Sequence, residues 1–203
     1  MKKDSFVTIA VGYGWEKFDA IERSLKDEHS EGYEVLHDKF WKSIKEKFKG
    51  KCETIAGRFK QKFPSAGISF KRLRASHGKQ VWPSILENLK NADILIFDVV
   101  QPPKQAILSD EPKDIANVFK TFNTNVLVEI GVALGLDKRV VLMCPKHLFK
   151  DVPSDLKGYL WTTYTGTISK DGFMRTFCDE RGIQNAFMGM VREVFNEKLQ
   201  LTE

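Results

Sequence analysis

The sequence predicts an α/β domain in which helices cover both faces of a mainly parallel sheet. Residues 5–11, 92–100 and 138–144 are rich in Val, Ile and Leu and are almost continuously apolar. Such runs are typical of strands that are buried on both faces of a parallel sheet. Helical patterns separate them, and alternation of strands and helices along a chain indicates a doubly wound sheet with right-handed crossovers.

The other predicted elements complete this alternation. Residues 67–74 alternate between apolar and polar side chains as a strand does, and residues 160–164 form a short last strand. Five strands of this kind fit the flavodoxin-like order 2-1-3-4-5, which brings the loops after the first and third strands together at one edge of the sheet. Helices are predicted over residues 16–26, 82–91, 123–136 and 188–199.

The length of 203 residues fits a single α/β domain, residues 1–203, with two insertions. Within the first, at about residues 30–65, apolar side chains recur in steps of three and four, which predicts a long amphipathic helix. The second, at about residues 101–122, contains Pro102, Pro103 and Pro112 and is long for a connection inside a compact domain. It is therefore either a functional lid or an insertion with its own short helix.

The net charge of +5 is concentrated in one segment. Residues 38–79 contain 13 basic and three acidic side chains, a balance of +10, whereas the rest of the chain has 19 basic and 24 acidic side chains, a balance of −5. This basic segment is either the solvated side of the long helix or a platform for nucleic acid or an acidic partner. The aromatic residues of this segment lie among the recurring apolar positions and not among the basic ones, which favours the first interpretation.

Composition excludes several classes of protein. No apolar run approaches the roughly 18 residues that a membrane-spanning helix needs, and the amino terminus lacks a signal-peptide pattern. Cys52, Cys144 and Cys178 are widely spaced, so they indicate neither a zinc site nor a disulfide framework. The histidines are scattered as well. We therefore expect no metal, no cofactor and no membrane association, and a location in the reducing cytoplasm.

The predicted helix over residues 123–136 carries its polar groups near its start. Asn125 and Glu129 are four residues apart, so they lie on one side of a helix about one turn from each other. Asn123 or Thr124 can cap the first turn through a short polar side chain. The partial positive charge at a helix start would help to keep Glu129 ionised. These groups make the start of this helix a candidate site.

Glycines mark two further features. Gly12, Tyr13 and Gly14 follow the first predicted strand, where α/β proteins commonly bind phosphate or sugar groups, although a simple tight turn gives the same pattern. Gly131 and Gly135 recur within the predicted helix, and their small size suggests close packing of that helix on the sheet.

Three sequence blocks together resemble a known family. They are Asn-Ala-Asp-Ile-Leu-Ile-Phe-Asp at residues 91–98, Asn-x-Asn-Val-x-x-Glu-x-Gly-x-Ala from Asn123, and Pro-x-Asp-Leu-x-Gly-Tyr from Pro153. In this order they are similar to the nucleoside 2-deoxyribosyltransferase-like superfamily and to its TIR-like nucleotide-binding relatives. The resemblance implies a flavodoxin-like fold that acts on, or binds, nucleosides and nucleotides. It covers the first strand and roughly residues 67–165.

The resemblance also implies roles for individual residues. Glu129 matches the carboxylate that attacks the anomeric carbon of the sugar, Asp98 matches an acidic residue that contacts the base or the sugar hydroxyls, and Asn125 matches a polar residue near the sugar. Related transferases complete their sites across subunits, so a homo-oligomer is expected. The residues that the resemblance places in substrate binding are Gly12, Tyr13, Gly14, Asn123 and Asp155.

The expected chemistry is cleavage or transfer of an N-glycosidic bond in a nucleoside, a nucleotide or an NAD-like molecule. This reaction passes through an oxocarbenium-like centre, which a carboxylate can trap or stabilise while a second acid assists the departing base. Glu129 and Asp98 are the expected pair. The alternative is a non-catalytic TIR-like module that binds a nucleotide and signals through protein or nucleic-acid interactions.

Overall fold

The computed structural model describes residues 6–13, 50, 52–61, 67–73, 81–101, 111–169 and 172–200. Within these residues the protein is an α/β structure with a mostly parallel sheet and helices on both of its faces. The predicted fold class is thus confirmed at this level, and the architecture is broadly compatible with a flavodoxin-like fold.

The sheet is parallel at its centre and antiparallel at one side. Its strand order is β2-β1-β3-β5-β6-β4, and β7 also pairs with β6. Strands β2, β1, β3, β5 and β6 are parallel to one another, whereas β4 and β7 run antiparallel to β6. The strands are β1 (Phe6–Tyr13), β2 (Gly67–Arg72), β3 (Ile94–Asp98), β4 (Lys113–Asp114), β5 (Arg139–Pro145), β6 (Leu160–Ser169) and β7 (Gly172–Phe177).

The described sheet has seven strands where the sequence suggested five. Strand β6 continues to Ser169 and pairs there with β7, so the chain forms an antiparallel hairpin beyond the expected last strand. Antiparallel strands at the side of a sheet need an apolar pattern on only one face. The mixed Thr, Gly and Lys composition of residues 165–177 therefore gave no strong strand signal.

The described helices lie close to their expected positions, except that the last helix begins at Glu180 rather than at residue 188. The 101–122 insertion contains a short helix of its own, which was one of its two predicted alternatives. The predicted helix at residues 16–26 and most of the 30–65 insertion lie outside the described residues. The helices are α1 (residues 52–60), α2 (Val81–Asn91), α3 (Ile115–Val118), α4 (Thr124–Gly135) and α5 (Glu180–Gln200), with 3-10 turns at Lys146–Asp151 and Ser154–Leu156.

The core is divided into two layers by alternation along the central strand β3. Ile94 and Ile96 belong to the layer that α1 and α5 cover, which we call the α5 face. Leu95 and Phe97 belong to the layer that α2 and α4 cover, which we call the α4 face. Successive side chains of a strand point to opposite faces, so this register fixes the face of every other residue in the sheet.

Polar contacts tie the amino ends of the strands to the helices. The Asp93 carboxylate accepts a hydrogen bond from the Thr8 backbone N–H at 2.7 Å and pairs with the Lys198 ammonium at 2.7 Å. Lys138 donates to the backbone carbonyl of Ala92 at 2.9 Å, just beyond the end of α2. A cation at this position satisfies a carbonyl that the helix itself leaves free. These contacts lie at the end of the sheet opposite to the carboxyl ends of its strands.

The prediction that Gly131 and Gly135 pack against the sheet is wrong. Both lie on the exposed side of α4, and a Cβ added at either position would meet no atom within 4 Å. The sheet-facing positions are occupied instead by Val126, Ile130 and Ala133. Helical spacing alone did not indicate which side of this helix faces the sheet, because residues 130–135 are apolar or small on every side.

We expect Gly131→Ala to raise the free energy of unfolding by about 0.5–1 kcal/mol, because alanine restricts the unfolded chain and fits the helix without a clash. Urea denaturation measures this change. The control is the same substitution at a helical glycine that lacks room for a side chain. It is Gly182→Ala in α5, where the added Cβ would lie 2.0 Å from Asp179 Oδ2. The Asp179 carboxylate accepts the Gly182 N–H at 2.9 Å, so this substitution should destabilise the protein. Destabilisation by Gly131→Ala would show that the exposed side of α4 is covered.

Candidate functional site

Two of the candidate groups, Asp98 and the start of helix α4, lie at the carboxyl end of strand β3. Asp98 is the last residue of β3 and is in register with Tyr13 of β1 and Met143 of β5. The start of α4 lies beside it, because the Asn123 N–H donates to the carbonyl of Val99 at 2.8 Å. In open α/β sheets this edge is where ligands bind.

Asp98 is a fully buried carboxylate that contacts a tyrosine. The Tyr164 hydroxyl lies 3.0 Å from Oδ1 and 2.9 Å from Oδ2 of Asp98. The Val100 N–H also donates to Oδ1, at 3.3 Å. A hydroxyl has one proton, so Tyr164 donates to one carboxylate oxygen at a time. These hydrogen bonds offset part of the free energy that burial of a charge requires.

Tyr164 is the residue of this site that sequence reasoning missed. It lies in β6, is fully buried and packs edge-on against Phe177 of β7, with ring centroids 6.2 Å apart. Its partner Asp98 is 66 residues away in sequence, so no local pattern links the two. The available signal was a tyrosine at the end of a predicted strand, since a buried phenol usually needs a hydrogen-bond partner.

The buried cysteines do not supply a thiolate nucleophile. Burial raises the pKa of the Cys144 thiol to about 12, and the charges of Asp98 and Cys178 add to the effect. Burial likewise raises the pKa of Cys52 to about 12, with a smaller contribution from Glu53. Both thiols are therefore protonated near neutral pH, and the carboxylates are the candidate reactive groups.

Asn123 caps helix α4. Its Oδ1 accepts hydrogen bonds from the backbone N–H groups of Asn125 at 3.0 Å and Val126 at 3.1 Å. Of the two predicted caps, Asn123 and Thr124, the structure thus selects Asn123. This side-chain oxygen is engaged by the helix, so its use in substrate binding would compete with the cap.

Glu129 is buried on the sheet-facing side of α4, between Val126 and Ile130 in the helical pattern. Only 5% of its surface is exposed, whereas Asn125, one turn earlier, is exposed. Glu129 lies in the second turn, and the first turn contains no acidic residue. The effect of the helix dipole falls off within the first turn. Burial, more than the helix start, therefore sets the environment of this carboxylate.

Asp98 and Glu129 are attached to opposite sides of β3. Alternation along the strand places Asp98 on the α5 face together with Ile94 and Ile96, and Tyr164 belongs to that face as well. Glu129 projects from α4, which packs on the other face. A ligand that is influenced by both carboxylates must therefore lie across the end of β3.

The other predicted binding residues are placed differently from the expectation. Gly12 and Tyr13 are part of β1 and pair with Phe97 and Asp98, so the prediction of a turn at these two positions is wrong. The strand continues through these two residues because their backbones pair with the last two residues of β3. Gly14 lies outside the described residues. Asp155 is exposed in a 3-10 turn, where it accepts a hydrogen bond from its neighbour Ser154 at 3.3 Å.

The second half of the 101–122 insertion is fastened to this same edge of the sheet. Gln101 N–H donates to the carbonyl of Thr121 at 2.8 Å, directly after β3. His147, which follows β5, donates from Nε2 to the carbonyl of Phe119 at 2.7 Å. Because a carbonyl only accepts, this contact requires the proton on Nε2. The segment is thus joined to the ends of both β3 and β5.

Three broader observations complete the description. Within the residues that the structure describes, no three His, Cys, Asp or Glu side chains are grouped so that they could hold a metal ion. Among the same residues, no helix has the length and apolar character needed to cross a membrane. Comparison of the chain with protein-family models, with curated proteins and with solved structures finds no match.

We expect Tyr164→Phe to lower the free energy of unfolding by about 1–3 kcal/mol, because it leaves the buried Asp98 carboxylate with one donor fewer. Urea denaturation checks this value. Thr162→Val is the matched control: Thr162 is buried on the same strand and face, and its hydroxyl has no hydrogen-bond partner among the described residues. It should leave stability unchanged or raise it. Equal effects of the two substitutions would contradict a stabilising Tyr164–Asp98 hydrogen bond.

Proposed function

We propose that this protein cleaves or transfers the N-glycosidic bond of a nucleoside, a nucleotide or an NAD-like molecule, with Glu129 as the carboxylate nucleophile. The observation that carries the proposal is the burial of Glu129 on a capped helix that begins beside the carboxyl end of β3. The resemblance of three sequence blocks to nucleoside 2-deoxyribosyltransferase-like proteins supports the same assignment.

The flavodoxin-like assignment is part of this proposal. The parallel strands follow the order β2-β1-β3-β5-β6, which is consistent with the predicted order 2-1-3-4-5 when the antiparallel strands are set aside. In that arrangement the connections from β1 and β3 run in opposite directions along the sheet. Ligands of open α/β sheets bind at such a switch point, and Asp98 and the start of α4 lie beside it.

The proposed chemistry follows from a carboxylate in a site of low dielectric. As the bond between the anomeric carbon and the base nitrogen breaks, its electron pair leaves with the base and the sugar gains oxocarbenium character. A Glu129 oxygen then forms a bond to the anomeric carbon. Attack on that carbon by water gives hydrolysis, and attack by a second base gives transfer; either step releases the Glu129 carboxylate.

Asp98 has a supporting part in the proposal. It is fully buried, and the Tyr164 hydroxyl lies within 3.0 Å of both its oxygens. We therefore assign it an electrostatic effect, in which its negative charge stabilises the positive charge that develops on the sugar. With an NAD-like substrate the nicotinamide is already a good leaving group, so little acid assistance is needed.

A second candidate function is a non-catalytic nucleotide-binding module that signals through partners. Arg58 and Lys60 are exposed on α1, whereas Cys52 and Ile55 of the same helix are buried. Exposed basic side chains of this kind can bind an acidic partner or nucleic acid. Nucleotide binding without any release of base would favour this function over catalysis.

We expect Glu129→Gln to reduce base release by at least about a thousandfold, since the amide cannot act as the nucleophile. Chromatography of nucleosides, 5′-nucleotides and NAD after incubation with the protein measures released base. Unfolding curves of wild type and variant should nearly coincide, because the side chains have the same shape. Unchanged turnover in Glu129→Gln would rule out the mechanism.

Asp98→Asn should lower turnover by about 10–100-fold, because it removes the buried negative charge while it keeps an acceptor for Tyr164. The variant should remain folded, which circular dichroism and urea denaturation verify. A large loss of stability with normal specific activity would instead assign Asp98 a purely structural role.

A further inference from the structure

We propose that helix α4 pairs with the α4 of a second copy of this chain, antiparallel and about a twofold axis. The surface that makes this contact, which we call the outer stripe, consists of the exposed residues Thr124, Val128, Gly131 and Gly135. The proposal combines an apolar helix surface that faces solvent with a carboxylate whose position suits an antiparallel partner helix. It does not depend on the proposed reaction.

The outer stripe lies along one side of α4. Its members follow one another in steps of four, three and four residues, which is the spacing of side chains on one side of a helix. The opposite side, with Val126, Ile130 and Ala133, is buried against the sheet. A helix on the surface of a globular protein normally has charged or polar residues on its outward side.

The outward side of α4 departs from this rule, because it carries no charge. Glu129 is the one ionisable residue of the helix, and it is buried. By contrast, 52% of the surface of Val128 is exposed. The residues beside the outer stripe are apolar and half-buried; they are Leu127, Val132 and Leu134. A helix that is apolar on all sides is normally buried, so the outer stripe requires a cover.

The shape of the outer stripe suits a copy of itself. A twofold interface brings the same surface of both chains together, so that surface must be complementary to itself. When the stripe is reversed, Val128 faces the partner's Gly131. Thr124 then faces the partner's Gly135. Nothing lies within 4 Å of a Cβ added at either glycine, so each leaves room for the larger side chain opposite.

Charge complementarity also favours a second copy in the antiparallel direction. Asp137 is exposed just beyond the end of α4, with a φ of 53°. An anion is unfavourable at the negative end of its own helix and favourable at the positive start of another. An antiparallel partner places its start there. Since Asn123 already accepts two N–H groups at that start, the gain comes from the dipole alone and is modest.

Analytical ultracentrifugation over a range of protein concentrations tests the pairing. We expect wild type to reach twice the 23.3 kDa mass of one chain. Val128→Asp should abolish the dimer, because it buries a charge in an interface that offers no partner for it. Val128→Ile should retain the dimer. Wild type that stays monomeric, or dimerisation of Val128→Asp with unchanged strength, would overturn the proposal.

Circular dichroism and urea denaturation verify that Val128→Asp is folded. If it is not, Thr124→Glu decides, because an acidic residue in the first turn favours the helix. In the proposed dimer this residue would face the end of the partner helix, close to the partner's Asp137. Weakened dimerisation of Thr124→Glu supports the pairing, whereas unchanged dimerisation contradicts it.

Asp137→Asn tests the charge contribution. The variant keeps the shape of the side chain, and asparagine tolerates the left-handed conformation. We expect dimerisation to weaken about three- to fivefold, since two such contacts are lost in each dimer. Asp151→Asn is the matched control, because Asp151 is an exposed aspartate at the end of a 3-10 turn. Equal dissociation constants for the two variants would contradict the role of Asp137.

Disulfide cross-linking with a copper oxidant tests the direction of the helices. A Cys178→Ser background is used, because Cys178 is exposed whereas Cys52 and Cys144 are buried. Positions 124 and 135 are about 16 Å apart along the helix, too far for a disulfide within one chain. Thr124→Cys combined with Gly135→Cys should therefore give covalent dimers, and Thr124→Cys alone should not. Equally fast cross-linking of Thr124→Cys alone would indicate parallel helices and overturn the proposal.

The stabilisation expected of Gly131→Ala concerns the separate chain. It is therefore measured at a dilution at which wild type is monomeric. At concentrations that support the dimer, the added methyl group meets the partner's Val128 and should weaken association. Stronger association of Gly131→Ala would contradict the pairing of these two positions.

Discussion

Burial of β3 on both faces determines how the other elements are arranged. Every residue from Ile94 to Asp98 is buried, and the strand lies between β1 and β5 in the sheet. Helices must therefore cover both faces, and alternation along β3 divides the core between them. The same alternation determines where the chemistry is: Asp98 falls on the α5 face, whereas Glu129 is carried by a helix on the α4 face.

A charged group at the end of such a strand requires a specific partner. Asp98 is fully buried, and Tyr164 reaches it from β6, on the far side of β5. The Tyr164 ring in turn packs against Phe177 of β7. The β6–β7 hairpin, which the sequence patterns did not predict, thus holds the tyrosine that contacts Asp98, which they did predict as a site residue. A buried carboxylate with fewer donors is less stable, so the hydrogen bond from Tyr164 helps to stabilise Asp98 in this position.

The sequence predicted those features that local chemistry determines. The apolar runs of β3 and β5 indicated buried strands, and Asn123 was recognised as a possible cap from its place before a helical pattern. Features that depend on distant residues could not be predicted. Tyr164 meets a partner 66 residues away. Likewise, the pattern of α4 is apolar on nearly every side, so it did not indicate that Gly131 faces outward.

The start of α4 limits how a ligand could use this helix. The start of α4 is satisfied from within, because Asn123 Oδ1 accepts two of its first-turn N–H groups. An external anion therefore gains little there. Glu129, buried one turn into α4, is the group of this helix on which the proposed glycosidic reaction depends.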